Sequence, residues 1–271
     1  MMDIRTQIEA ELARLEREKG VCVVYACESG SRAWGFESAD SDYDVRFLYA
    51  RPTEWYLRVV PGSDVIERPI DGMLDISGWD LRKALQLLRK SNPPLLEWLQ
   101  SPIVYRERRG IVERIRGLMP QYYQPVACYY HYLHMAQGNY RDYLRGETVW
   151  LKKYFYVLRP VLACLWIERG YGIVPIQFQA LVDCVLDDED VKAAVGDLAR
   201  RKKAGEELDR GPQIPRISDF LARELDRLSA GQAPPAVPTS WAGLDQVFRE
   251  CLIEIYGDRV QTAPPAGEQA C

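Results

Sequence analysis

The run Glu28-Ser29-Gly30-Ser31-Arg32-Ala33-Trp34-Gly35 leads within a few residues into Ser41-Asp42-Tyr43-Asp44-Val45-Arg46. Before it, Val21 to Cys27 is β-branched and aromatic; after it, Tyr43 to Tyr49 alternates apolar and polar, and both patterns predict strands. Between them, 28–41 is rich in Gly, Ser and small polar residues, so the segment reads strand, turn, strand. A small-residue turn such as Gly30-Ser31 can offer backbone N–H groups to a phosphate. Asp42 and Asp44, at i and i+2 of an extended chain, point to one face and can share a divalent cation. The two features together point to nucleotide chemistry.

Working outward, Ile4, Ile8, Leu12 and Leu15 recur at helical spacing and predict an amphipathic first helix that Gly20 stops. Downstream, further strands are expected at Leu57–Val60, Val65–Ile70 and Met73–Ser77, the last two joined by Asp71-Gly72, a dipeptide favoured in tight hairpins. From Asp80 the pattern turns helical. Leu81, Leu85 and Leu88 mark one helix, and Asn92-Pro93-Pro94 breaks it and opens the next. Tyr122–Leu144, Val149–Arg169, Pro175–Leu186, Val191–Lys203, Ile217–Leu228 and Trp241–Tyr256 read as further helices. The fold class is therefore α+β: a mixed β-sheet with flanking helices over residues 1–108, then a mostly α-helical domain over 109–260. Ala230–Ser240 reads as a linker and 261–271 as a disordered tail. The sequence holds no internal repeat.

Composition narrows the classes of function. With 271 residues, 47% hydrophobic and 27% charged, the chain can bury a substantial core. It has no apolar run long enough to span a bilayer, and the charged N-terminus lacks the apolar stretch of a signal peptide, so the cytoplasm is the expected location. The seven cysteines form no CxxC pair and mostly sit in apolar stretches, as buried free thiols do. A net charge of −4 argues against indiscriminate coating of nucleic acid but leaves room for a local basic groove.

Two carboxylates held close repel unless a proton or a cation joins them. Hard oxygen donors without nearby His or Cys favour Mg²⁺, with Mn²⁺ as the alternative. A third acid would complete a two-metal site. Asp75, between apolar Leu74 and Ile76 on an expected strand, is the preferred candidate; Asp80 competes but is well explained as a helix N-cap. Cys128, His131 and His134 have helical spacing but no fourth ligand, so zinc is set aside. Asp187-Asp188-Glu189-Asp190 is expected to start a helix, where negative charge suits the dipole. Lys152, Tyr156 and Arg159 fall on one helix face with Lys153 beside it, which would let a cation and an aromatic meet one nucleotide. Arg32 and Arg46, close in sequence to the acids, are placed for anionic contacts. The tyrosines between Tyr122 and Tyr143 suit base stacking and helix packing equally.

Gly30-Ser31, Asp42-Tyr43-Asp44 and the apolar-flanked Asp75 together resemble the nucleotidyltransferase superfamily that includes DNA polymerase β, poly(A) polymerases and CCA-adding enzymes. The fuller wording resembles a narrower bacterial and phage group, the RNA repair pathway DNA polymerase β family. It runs through Gly78-Trp79-Asp80-Leu81-Arg82-Lys83-Ala84-Leu85, Ser91-Asn92-Pro93, Glu97-Trp98-Leu99, Ser101-Pro102 and Lys152 to Pro160. The resemblance implies that Gly30 and Ser31 hold the β- and γ-phosphates of an NTP, with Arg32 and Ser41 nearby. It implies that Asp42, Asp44 and Asp75 bind the metals, with Asp75 helping to activate the incoming hydroxyl. A helix of the second domain would supply Lys152, Lys153, Tyr156 and Arg159 to the nucleotide. Three functions then compete. One is nucleotidyl transfer to an RNA or polynucleotide end, which predicts a basic, aromatic groove running past the acids. The second is modification of a small molecule or protein hydroxyl, which predicts a closed pocket. The third is a silent nucleotide-binding scaffold.

Overall fold

The first helix, α1 (Ile4–Lys19), buries Ile8, Leu12 and Leu15 and ends at Gly20, whose φ of 60° lets its N–H close the last turn on the Glu16 carbonyl. In the computed structural model, which describes residues 3–257 apart from 71, 207, 232, 234 and 236–239, the elements that follow are β1 (Cys22–Glu28), α2 (Gly30–Trp34), β2 (Tyr43–Ala50), α3 (Thr53–Tyr56), β3 (Val65–Glu67), β4 (Leu74–Asp80), α4 (Leu81–Arg89), α5 (Pro93–Leu99) and β5 (Val104–Glu107). The second half continues with α6 (Arg109–Tyr122), α7 (Pro125–Tyr143), β6 (Thr148–Trp150), α8 (Lys153–Glu168), α9 (Phe178–Val185), α10 (Glu189–Lys203), β7 (Arg210–Pro212), α11 (Pro215–Ala230) and α12 (Ala242–Tyr256). The tail 261–271, Asp71 of the expected turn and part of the 230–240 segment lie outside the described residues.

The α+β class holds. One mixed sheet runs β3-β4-β2-β1-β5, with β2 and β4 parallel and the other pairs antiparallel. On one face α1 packs over Val21, Val23, Ala26, Val45, Phe47 and Ile76. On the other, Val24, Tyr25, Cys27 and Leu48 join an apolar cluster that runs on through α4 to α9. A register shift between Val23 and Tyr25 inserts an extra residue into β1, which places Val24 and Tyr25 in the same cluster despite their adjacency. At the centre of the helical half lies α8, buried on nearly every side and carrying Arg159 into the interior.

Several expected elements differ. Leu57–Val60 is not a strand: Leu57, Val59 and Val60 are exposed, and β3 occupies the sheet edge beside β4. The expected strand at Val65–Ile70 stops at Glu67. The turn after β1 contains a short helix, α2. Five further elements were not expected. These are helix α3, strand β5, which pairs with β1, helix α6, and the β6–β7 pair, which joins the start of α8 to residues some sixty positions later. The helix starts expected at Asp80 and at Asp187–Asp190 are as the sequence puts them: Asp80 accepts from Arg82 N–H, and Asp188 accepts from Asp190 and Val191 N–H.

Candidate active site

Strand β1 ends in Glu28, which is fully buried, and the chain then turns sharply into α2. Gly30 adopts φ 59°, a left-handed conformation that glycine takes without steric penalty. A side chain there would strike the Asp44 carboxylate, with a Cβ only 3.0 Å from Asp44 Cγ and nearer still to Oδ2. Glycine is thus required twice, for the backbone and for the close approach. Ser29 N–H donates to the Asp44 carbonyl at 2.9 Å, and Asp44 N–H donates to Glu28 Oε1 at 2.7 Å, so β1 and β2 lock the turn against this aspartate. Tyr105 on β5 donates its hydroxyl to Glu28 Oε2. Burial pushes the Glu28 carboxyl above its usual range.

Asp44 and Asp75 stand in register on the parallel strands β2 and β4. Arg46, two residues beyond Asp44 on the same face, bridges them: Nη2 lies 3.1 Å from Asp44 Oδ1 and 2.7 Å from Asp75 Oδ2. Burial, and then the negative charges of Asp75 and Asp42, raise the Asp44 pKa, against the lowering effect of Arg46. Asp42 lies close enough for its charge to reach Asp44, yet it is exposed and precedes the strand, which begins at Tyr43. Asp80 is elsewhere. It sits five residues further along β4, about 16 Å at strand rise and on the opposite face, where it caps α4 by accepting from Arg82 N–H at 2.9 Å. Tyr56 donates to its other oxygen at 2.8 Å.

Arg32 and Ser41 shape the approach to Asp42. Arg32 donates from Nη2 to the Ser41 carbonyl at 2.6 Å and from Nε to the Asp42 carbonyl at 3.1 Å, while its guanidinium lies 3.8 Å from the Tyr43 ring centroid. The Ser41 hydroxyl accepts from Ser38 N–H at 2.9 Å. Ser31, half-buried in α2, accepts at its carbonyl from Gly35 and Phe36 N–H.

Across from the acids, α8 supplies the opposite wall of a 270 Å³ cleft lined by Gly30, Trp34, Asp44, Arg46, Tyr156 and Arg159, among others. The Tyr156 hydroxyl is raised above its usual pKa by burial and by the charges of Asp44 and Asp42, and Tyr156 lines the same cleft as Asp44. Arg159 is committed inward: Nη1 donates to Glu97 Oε1 at 2.8 Å, in a pair with almost no solvent access. Tyr132 donates to the same oxygen at 3.0 Å, and Trp34 Nε1 to the other at 3.2 Å. Such a pair, satisfied on most of its lone pairs, fixes the cleft wall more than it stabilises the fold. Arg159 Nε is buried without a partner among the described residues. Lys153 half-covers the rings of Tyr143 and Tyr156, at 4.5 and 4.7 Å. Lys152 is exposed ahead of the first turn of α8, with Nζ 5.8 Å from the Trp150 ring.

The donor chemistry fits a hard dication. Asp44 and Asp75 share one face, the charge of Asp42 reaches Asp44, and Asp44 is held in surroundings that disfavour a bare carboxylate. In this structure the Arg46 guanidinium balances the charge of the two aspartates across the strands. The set is not gathered as tightly as a closed site: among the described residues, no three His, Cys, Asp or Glu side chains cluster closely enough to hold a metal. Sequence reading passed over Glu28, Trp34 and Glu97. Glu28 carried the clearest signal, an acid closing an apolar strand directly before Ser29-Gly30.

A mixed sheet bearing paired acids beside a glycine turn, with a helical wall opposite, has the arrangement expected of a nucleotidyltransferase. The chain belongs to the RNA repair pathway DNA polymerase beta family (RlaP), whose family model matches residues 4–250. It is 51% identical over 225 residues to the uncharacterized protein YcgL of Bacillus subtilis (strain 168), covering 83% of this chain and 86% of that protein. A distant likeness is to the crystal structure of a nucleotidyltransferase-like protein from Exiguobacterium sibiricum 255-15, at 12% identity and a TM-score of 0.32 over 90% of this chain and 80% of that one. No helix among the described residues is long and apolar enough to cross a membrane.

Proposed function

We propose that this chain transfers a nucleoside monophosphate from an NTP to a hydroxyl, releasing pyrophosphate, and that the acceptor is the 3′ end of an RNA or other polynucleotide. The observation that carries this reading is Asp44, in register with Asp75 on the neighbouring parallel strand, lining a cleft whose far wall presents Tyr156 and Arg159. Asp42, Asp44 and Asp75 are the residues to hold Mg²⁺ or Mn²⁺. When bound, the metal would neutralise triphosphate charge and lower the pKa of the attacking hydroxyl. Asp75 takes up the hydroxyl proton. Gly30 leaves room for Asp44, and with Ser31 it meets the phosphates. Arg32 and Ser41 hold the Asp42 segment in place through the contacts described above. Tyr156 faces the base, and Arg159 Nε, without a partner among the described residues, offers one further donor.

Incubation with Mg²⁺ or Mn²⁺, labelled NTPs and a pool of RNAs tests the reading. Label should enter RNA with release of pyrophosphate, and the Asp44→Asn/Asp75→Asn variant should transfer none. Transfer to a small hydroxyl compound but to no RNA would move the acceptor to the small-molecule class. Equal transfer by the variant would remove the acids from catalysis.

A further inference from the structure

Lys152, Lys153, Lys202, Lys203 and Arg210 take part in none of the ion pairs found among the described residues. Four of them converge from different elements. Lys152 and Lys153 open α8, Lys202 lies in the last turn of α10, and Arg210 begins β7. The β6–β7 pairing brings Arg210 opposite Trp150, and Lys152 N–H donates to the Leu208 carbonyl at 3.0 Å. Lys152 is near enough that its charge lowers the pKa of both Lys153 and Lys202, after burial, which is the larger cause in each case. Glu37 is the one acid whose charge acts on Lys202 in the opposite sense.

Aromatic faces alternate with these cations. Lys153 lies over Tyr143 and Tyr156. Lys152 and Arg210 flank Trp150 at 5.8 and 5.9 Å. Lys202 Nζ sits 4.5 Å from Phe36 and 5.5 Å from Phe155, rings buried in the core, so the stackable faces of the strip are Tyr143 and Trp150. The strip starts at Tyr156, which lines the 270 Å³ cleft together with Asp44, and none of the four cations lines that cleft. A single triphosphate seated against Asp44 does not need cations spread over three elements beyond the cleft. A chain of phosphates with stackable bases does.

We propose that Lys152, Lys153, Lys202 and Arg210, with Trp150 and Tyr143, form the path along which a single-stranded polynucleotide acceptor reaches the acids. This rests on the reading of the site as a nucleotidyltransferase but is tested by binding rather than transfer. The probe is a fluorescein-labelled single-stranded RNA of about 12 nucleotides, followed by anisotropy with the full chain in EDTA across a salt series. Each phosphate contact on a single strand contributes about 0.7 to the slope of log affinity against log salt. The Lys202→Gln/Arg210→Gln variant should therefore lose about 1.4 of slope, which is about 25-fold in affinity at 0.1 M salt relative to 1 M.

Its affinity for a fluorescent NTP should stay within about twofold of wild type, and Lys202→Arg/Arg210→Lys should restore RNA binding. Asp44→Asn should bind the RNA at least as well as wild type, so a failure of transfer leaves the binding result interpretable. Arg210→Gln alone, on an exposed strand end, carries the same test with half the slope change should the double variant lose stability. An unchanged slope, or weakened NTP binding with RNA binding intact, would overturn the acceptor path.

Discussion

Replacing Gly30 by alanine separates two roles that glycine plays beside Asp44. The backbone at φ 59° costs an L-residue about 1–2 kcal/mol. The new methyl would also stand 3.0 Å from Asp44 Cγ, where carbon atoms prefer about 3.5–4.0 Å, and closer to Oδ2, so the carboxylate must retreat by roughly 0.5–1 Å. A misplacement of that order at a reacting centre costs about 10–100-fold in rate. Gly35 supplies the matched control. It has φ 86° at the other end of α2, and an added Cβ would meet nothing within 4 Å. Gly35→Ala should show the backbone cost alone. Urea unfolding should then place both variants about 1–2 kcal/mol below wild type, while nucleotidyl transfer and Mn²⁺ affinity, measured by electron paramagnetic resonance, should fall for Gly30→Ala and hold for Gly35→Ala. Equal activity and equal Mn²⁺ affinity in the two variants would refute the argument that Gly30 exists to admit the Asp44 carboxylate.

Asp75 and Asp80 should separate cleanly. Asp75→Asn should abolish transfer with little change in melting temperature. Asp80→Ala should keep transfer but lose about 2 kcal/mol, from the missing N-cap and the unpaired Tyr56 hydroxyl; the reverse outcome would exchange their roles. Lys202, with its pKa lowered to about 8 by burial and by Lys152 against the opposing charge of Glu37, carries an unfavourable charge in the fold at pH 7. That penalty is present below the folded pKa and disappears as pH rises toward the ordinary lysine value. Lys202→Met should therefore melt higher than wild type at pH 7, with the gap closing by about pH 10. A gap independent of pH would assign the difference to packing against Phe36 instead.

What could be read from the sequence was what depends on near neighbours. Gly20, Asp80 and Asp188 act within one helical turn, so their signals survive without knowledge of the fold. By contrast, β5, β6 and β7 are three or four residues long and exist only because a distant strand completes their hydrogen bonds, so no local pattern marks them. Lys202 reads in sequence as an ordinary basic residue in the last turn of a helix; only the approach of Lys152 and Phe36 gives it a second meaning. The acid pair is the intermediate case. That β2 and β4 lie parallel with Asp44 beside Asp75 could not be read from either strand alone. Yet side-chain alternation already constrains the answer, because Asp75 and Asp80 are separated by an odd number of residues and point to opposite faces of β4. Only one can share a face with Asp44. The same period puts Arg46 on the face of Asp44, so its bridge between the two aspartates follows once the strands are laid side by side.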